Sequence, residues 1–502
     1  MLGTARGGSD GRSTSKASRG TTINSSSSEI GGLRQFTLEH AILTAIQRNP
    51  DILKAKQELE RSKGVVLEIS AQALPHITPD ATFRWTDPNL GSGSFSSDTV
   101  GSGTGGGVGG SGSSGGSSST STDISYAIRI TGTQLVFNYG TFRAIRGTFF
   151  RRDSAYFAFR NVLDQVIATV KTQFYQVILN KDLIGVQEEQ VQLLESQLKD
   201  QQNRFEAGTV PRFNVLQAQV ALSNQIPQLI TARNNFRISQ LILAKTLGLD
   251  FDPRRGEKAP LEVLGEMPYN PRNINLVEAI ELGKERRPFL KQARANVLNA
   301  IEQVHVALGG FLPNFNSNGG YEIFSSPLNS SFHDVSKGFI FGLTGTWAVW
   351  DSGETYGRVK QQRALLSEAR ITFDDDVRQV ELEVQQAYSN LIQNRELIQS
   401  QEKNVEEAQE AVRLAKARLD AGAGTQLDVL NAQVQLATAE STKLQALFGY
   451  NSSLAEFDRV TGTQSVYTES FDSIAPRATK STIYDTGSGT TTTGKRRENP
   501  SK

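Results

Sequence analysis

Two ladders of apolar residues set the length scale of this chain. Leu163, Val170, Val177, Ile184, Val191, Leu198 and Phe205 recur every seven residues, as do Val377, Val384, Leu391, Ile398, Val405, Val412 and Leu419. No proline interrupts either ladder. A strict seven-residue repeat drifts around a straight helix unless the helix supercoils left-handedly against a neighbour. Each ladder therefore predicts one very long helix; the first, starting near Thr141, spans about 65 residues and roughly 95 Å. The positions three or four residues on are mixed, with Gln173, Asn180, Gln187 and Gln201 in the first ladder and Ala387, Asn394, Gln401 and Ala408 in the second. So narrow a stripe suits a thin wall of helices and cannot build a thick globular core.

The ladders belong to two copies of one plan. Leu38, Ala41, Ile42, Pro50, Ala55, Leu74 and Pro75 match Leu276, Ala279, Ile280, Pro288, Ala293, Leu312 and Pro313, each 238 positions later. Phe137 to Gly140 match Trp350 to Gly353 at 213, and Arg204 to Gly208 match Arg418 to Gly422 at 214. The run Val215-Leu216-Gln217-Ala218-Gln219-Val220 continues into Val429-Leu430-Asn431-Ala432-Gln433-Val434. The first copy carries 25 extra residues, which fall in the Gly/Ser/Thr stretch 91–122, a composition that reads as a loop. Gly208 and Gly422 suit left-handed C-terminal caps, after which return helices start near Phe213 and Leu427, giving two antiparallel hairpins. Pro227 lies inside the first return helix and is expected to kink it. The expected division is a structureless segment 1–32, a first repeat 33–247, a proline-rich linker 248–271, a second repeat 272–462 and a structureless tail 463–502.

Composition excludes several function classes. Lys+Arg 53 against Asp+Glu 52 leaves a formal charge of +1, so no strong field gathers nucleic acid, and none is expected as a partner. The absence of cysteine removes thiol catalysis, disulfides, thiolate metal sites and lipidation of an N-terminal Cys. His40, His76, His305 and His333 are scattered, no HExxH or GxxxxGK[ST] is present, and no cofactor or metal is expected. No stretch approaches the roughly 18 uninterrupted apolar residues of a membrane helix, so any membrane crossing must use strands. Residues 1–32 lack the apolar core of a secretory signal, so either the true start lies upstream of Met1, a signal has been lost, or the protein is not exported; the first two are the expectation.

Between the short and long helices of each copy lie segments of period two. Phe339, Phe341, Leu343, Gly345, Trp347 and Val349 alternate with Gly342, Thr344, Thr346 and Ala348. Tyr126, Ile128 and Ile130 alternate with Ser125, Arg129, Thr131 and Thr133. Ile77, Ala81, Phe83 and Trp85 oppose Thr78, Thr82, Arg84 and Thr86, and Phe315, Tyr321 and Ile323 oppose Asn314, Asn316 and Asn318. Each segment alone also fits half of a soluble sheet, and Trp85, Tyr126 and Trp347 fit either an interfacial belt or an ordinary core. Four of them agreeing, with nothing else in the chain to cover their apolar faces, favour barrel strands in a membrane. Four strands cannot close a barrel and open edges are not tolerated in lipid, so copies must combine; three would supply twelve strands.

The order helix, strand, loop, strand, long helix, Gly turn, return helix, used twice, resembles the TolC-like outer-membrane efflux protein family. The resemblance rests on Leu38-Glu39-His40-Ala41-Ile42 with Asn49-Pro50, the Leu-Pro pairs at 74 and 312, Trp350-Asp351-Ser352-Gly353, and the segments around Gly208 and Gly422. It covers roughly residues 33–462 and implies a homotrimer with a 12-stranded transmembrane β-barrel, continued by a long antiparallel α-helical coiled-coil barrel into the periplasm. It also implies a passive, non-enzymatic conduit for efflux or type I secretion, docked to a periplasmic adaptor and through it to an inner-membrane pump. Phe83, Trp85, Tyr126, Ile128, Ile130, Tyr321, Phe339, Phe341, Leu343 and Trp347 would face outer-membrane lipid. Gly208, Thr209 and Val210, with Gly422, Ala423, Gly424 and Thr425, would be adaptor-contacting tips, and they fit tight turns in either case.

Where the family places two acidic residues at a periplasmic constriction, Asp428 matches the first and Asn431 replaces the second; Asn214 and Gln217 stand there in the first copy. Three Asp428 carboxylates would favour cations at the narrow end, while Asp428 equally fits a plain N-terminal helix position. Gly424 and Leu419 stand where some members carry the Arg and Tyr of a closing latch. Asp374-Asp375-Asp376 reads as a solvated helix face. The competing reading of the whole chain is a soluble coiled-coil scaffold.

Overall fold

The computed structural model describes residues 29–30, 33–85, 124–250, 261–325 and 335–464. The loop 91–122, most of the segment 1–32 and the tail beyond 464 lie outside them. The order is β1 (Glu29–Ile30), β2 (Leu33–Phe36), α1 (Leu38–Arg48), α2 (Pro50–Ala71), β3 (His76–Trp85), β4 (Ile124–Phe137), α3 (Tyr139–Glu206) and α4 (Arg212–Thr246). Then follow β5 (Leu261–Val263), α5 (Leu276–Arg286), α6 (Pro288–Leu308), β6 (Asn314–Ser325), β7 (Val335–Thr346), α7 (Glu354–Asp420) and α8 (Gln426–Val460).

The sequence of two helices, two strands, a long helix and a return helix thus runs twice. The ladders lie on α3 and α7, of 68 and 67 residues, each about 100 Å long. The single short helix expected in each copy is two helices, because a proline cannot continue the preceding helix but suits the first turn of the next. At that break the Asn49 side chain accepts from the amides of Asp51 and Ile52. In the second copy Arg287 holds the same place, donating to Glu383. α4 stays helical through Pro227.

Apolar burial is concentrated within each repeat. In the first, Phe36, Ile42, Leu163, Val170, Phe174, Val177, Leu243 and Leu247 form one large cluster, closed by Leu261 and Val263. This last pair corrects the expected division. Residues 248–271 are not merely a linker, since β5 pairs in parallel with β2 and caps that core. Residues 29 and 30, expected to be structureless, pair with β2 on its other side. In the second repeat, smaller clusters built on Val380 and Val384, on Leu391, Ile398 and Tyr450, and on Val405 and Ala408 follow one another along α7 and α8. The first ladder is buried only down to Val177; Phe205, at its end, is exposed.

The first half of α3 packs on α2 and α6, and its second half on α4 and α8. Buried Glu302 of α6 takes both Arg143 and Arg146 of α3 at 3.2 Å.

Both hairpins turn through the same device. Gly208 and Gly422 sit at φ +75° and +71°; their amides donate to Phe205 and Leu419, and the amides of Thr209 and Ala423 donate to Arg204 and Arg418. Only the conformation demands glycine there, because nothing lies near an added Cβ. At Gly248, with φ +66°, an added Cβ would also lie 2.4 Å from the Arg48 carbonyl oxygen. Gly208→Ala is therefore expected to cost about 1–2 kcal/mol, the left-handed penalty alone, and Gly248→Ala clearly more. Denaturation midpoints of the two variants check this; equal losses would contradict it.

Candidate functional site

β3, β4, β6 and β7 form one antiparallel sheet in that order. Opposed residues share a face, so the register decides which side each residue lies on. Phe83 pairs with Tyr126, and Trp85 with Ile124. Ile128 pairs with Ile323 and Ile130 with Tyr321. Tyr321 in turn pairs with Phe339, Gly319 with Phe341, and Ser317 with Leu343. All the expected apolar positions within the strands therefore fall on one face. Phe339 and Phe341 are 88% and 82% exposed, and among the described residues no helix lies across this face. The Tyr321 and Phe339 rings meet edge to face at 4.9 Å. Gly319 and Gly345 leave room for the rings of Phe341 and Phe315, as a Cβ at Gly345 would stand 2.7 Å from the Phe315 ring.

Trp347 departs from expectation. β7 ends at Thr346, and the Trp347 indole N–H donates to the Phe311 carbonyl at 3.1 Å, so this residue belongs to the junction with the helices and not to a strand.

The opposite face is polar on β3, β4 and β6, with Ile340 of β7 standing opposite Gly320. Arg129 on β4 bonds Glu322 on β6 at 2.8 Å and lies 3.9 Å from Asp80 on β3, a charge ladder across three strands. The hydroxyls of Thr78 and Thr131 meet at 3.2 Å. Charged groups so arranged need water or one another, and apolar groups on the far side need neither. β3 and β7 each pair on one side only, leaving two open edges.

At the far end of the helices, the tips Gly208-Thr209-Val210 and Gly422-Ala423-Gly424-Thr425 differ beyond their shared turn. Thr425 and Asp428 form a reciprocal capping box: the Thr425 amide donates to the Asp428 carboxylate at 2.9 Å, and the Asp428 amide to the Thr425 hydroxyl at 3.2 Å. Hydrogen bonds from the Thr425 backbone and side chain hold the Asp428 carboxyl below its ordinary range. α4 starts at Pro211 with no side-chain cap. Asn431 is exposed, and Asn214 and Gln217 are half-buried. Among the described residues no hydrogen bond links any two of Asp428, Asn431, Asn214 and Gln217. Asp374 and Asp375 are exposed, and no group of three or more metal-binding side chains converges among the described residues. No helix of the described chain is long and apolar enough to cross a membrane.

One feature of the helices escaped the sequence. The seam between α3 and α8, which joins the two repeats, is polar along its length. Gln201 donates to Gln426 at 3.4 Å, Gln197 to Gln433 at 2.7 Å, and Lys171 pairs with Asp458 at 3.4 Å. Thr172 and Ser452 meet in the same row, and Glu189 helps raise the Glu440 carboxyl, after burial. Near its other end sits buried Asp164, whose carboxyl burial pushes up to about 6 against the pull of Arg160, Arg459 and Arg287. Glutamines four residues apart on α3 and seven apart on α8 were the available signal.

Comparison with known proteins bears directly on this geometry. The outer membrane efflux protein family matches residues 41–249 and 279–463, both copies of the plan and most of the chain. The chain belongs to the outer membrane efflux protein family. AprF, the alkaline protease secretion protein of Pseudomonas aeruginosa, is 22% identical over 330 residues, 65% of this chain and 67% of AprF. The outer membrane protein TolC of Escherichia coli is 23% identical over 295 residues, 57% of this chain and 59% of TolC. The chain thus matches about three-fifths to two-thirds of the length of these relatives. The CmeC outer membrane channel of Campylobacter jejuni superposes with a TM-score of 0.71 at 15% identity, over 86% of this chain and 89% of CmeC. VceC of Vibrio cholerae gives 0.69 at 16%, over 85% and 96%. The fold is that of this channel family: a small β domain continued by a long helical one.

Phe341→Asp places a charge on the uncovered apolar face and is expected to block membrane assembly, whereas Thr344→Asp on the polar face is tolerated. Heat-modifiability on a gel reads both, and equal behaviour would contradict the assignment of the faces. For Asp164, the folded chain holds a proton between about pH 4 and 6 that the unfolded chain releases, so stability falls as pH rises through that window. Asp164→Asn is therefore expected to raise stability above about pH 6 by on the order of 1–3 kcal/mol. Melting temperature against pH checks this; an unchanged pH slope would contradict it.

Proposed function

We propose that three copies of this chain close a twelve-stranded barrel in the outer membrane of a Gram-negative-type bacterium and form a passive exit duct that reaches through the periplasm. The observation that carries this reading is the sheet: one uncovered face that is apolar apart from positions such as Lys337 and Ser317, an opposite face that bears a charge ladder, and two open edges. Hydrocarbon against the first, water against the second and a neighbouring copy along each edge satisfy all three at once. The helical part makes the same demand, since Phe213, Leu216, Val220 and Ile230 leave an exposed apolar stripe on α4 that a neighbouring copy would cover.

In that assembly the two repeats, 33–247 and 272–462, each contribute two strands and one helical hairpin. The tips dock a periplasmic adaptor, which links the duct to an inner-membrane pump that supplies the driving force; this chain brings no energy coupling or catalytic step. The relatives support either use of such a duct, efflux or type I secretion, AprF being a secretion protein by its name. Three Asp428 carboxylates converging at the narrow end favour cations there, with Asn431, Asn214 and Gln217 completing a polar ring. Holding Asp428 ionised through its cap serves that role as well as the helix start. The competing reading, a soluble coiled-coil scaffold, would leave Phe339, Phe341 and Leu343 in water.

Gly422→Pro tests the tips, because proline cannot adopt the φ of +71° found there. The variant is expected to keep a heat-modifiable barrel but to lose adaptor co-purification and most export of the pump's cargo. Unchanged export would reject the tip role.

A further inference from the structure

We propose that the exposed face of α7 carrying Gly357, Gln361, Glu368 and Ile371 is the docking surface for α2 of a second copy, with Gly64 of that helix seated against Gln361. This contact rests on the three-copy reading and names two of the surfaces that would meet in it.

The duplication supplies the geometry. α3 and α7 end at Glu206 and Asp420, so their residues correspond at 214 positions; α2 and α6 begin at Pro50 and Pro288 and correspond at 238. Within each repeat the short helix packs on the long one, α2 on α3 and α6 on α7. Between the repeats α6 also packs on α3, and β6 pairs with β4. The matching steps out of the second repeat run from β7 to β3 and from α7 to α2. β7 and β3 are the two open edges, and an added Cβ at Gly64 or Gly357 meets nothing within 4 Å. A neighbouring copy standing to the second repeat as the second stands to the first completes both.

The two seams are complementary at their closest point. Within the chain, a Cβ at Gly147 of α3 would stand 3.4 Å from the Glu302 Cβ of α6, so the glycine admits the second helix. The corresponding residues are Gln361 and Gly64, so the glycine has moved from the long helix to the short one and the seam again holds one. A glycine inside a helix costs about 1 kcal/mol relative to alanine. Nothing in the described chain crowds Gly64, whereas a second helix would. Arg143 and Glu302, the ion pair of the in-chain seam, correspond to Gly357 and Gly64, so the seam between copies lacks that buried charge. Where Ser154 meets Asn296 at 2.6 Å, Glu368 and Glu58 would face each other, with Arg61, already bonded to Glu58, to bridge them. Apolar groups stand at both ends: Leu67 and Ile371 are 72% and 64% exposed in the single chain, and His305, the counterpart of Leu67, lies against Tyr139 of α3.

The chain has no cysteine, so introduced pairs report the contact cleanly. In full-length protein extracted from envelopes, Gly64→Cys with Gln361→Cys is expected to cross-link between chains on mild oxidation, giving reducible bands of two and three chains, because the in-chain counterparts stand near the Cβ spacing of a disulfide. Gly64→Cys with Arg363→Cys, on the opposite side of α7, is expected to give a several-fold lower yield. Gly64→Leu fills space that the single chain leaves open, so helicity is expected to stay unchanged while the fraction of three-chain particles in native mass spectrometry falls several-fold. Lys56→Leu, whose counterpart Arg294 is exposed, is expected to leave that fraction as it is. Equal yields for the two pairs, or equal fractions for the two leucine variants, in protein that still forms three-chain particles would overturn the docking and leave the three-copy reading standing. A parent protein found only as single chains would overturn both.

Discussion

The unpaired backbone groups along the outer edges of β3 and β7 are the constraint on which everything else depends. In water an open edge is a nuisance, but against hydrocarbon each unpaired N–H or C=O costs several kcal/mol. One face of this sheet is apolar and uncovered, so the sheet cannot rest in water either. The arrangement proposed above answers both demands by joining edge to edge with further copies, so that the polar faces would enclose a lumen lined by groups such as Arg129, Glu322 and Asp80.

The helical part suits the same proposed hollow. A wall one or two helices thick needs a narrow apolar stripe on each helix, which is what seven-residue ladders provide. Within a repeat these stripes meet, as along Val384, Leu391 and Ile398. Between the repeats the α3–α8 seam is instead held by glutamine pairs and an ion pair. Buried amides with partners specify register at little net gain in stability, whereas apolar packing supplies stability without specifying register. The two kinds of seam therefore do different work: one holds each hairpin together, and the other sets how the hairpins stand against each other.

Much of this was legible in the sequence wherever a period was long enough to be counted. The ladders gave the long helices to within a few residues, the glycines gave their caps, and the alternation of Phe339, Phe341 and Leu343 gave the two faces of the strands. What escaped is physical in origin. Alternation continues through Trp347 and Val349 after the backbone has left the sheet, because the period records side-chain polarity and not pairing. Leu261–Val263 is too short a strand to show a period, and the surrounding prolines disguise it as a linker. The bulge between Leu135 and Phe137, where β4 leaves its register with β6, is announced by no local pattern. Asp428 fitted two roles from sequence, and its capping box is compatible with both.

The most direct test of the central claim is native mass spectrometry of the full-length protein extracted from envelopes in detergent. Closure of the barrel by neighbouring copies predicts a particle of three chains that is lost from solution when detergent is removed. A folded single chain that stays soluble in detergent-free buffer would contradict it.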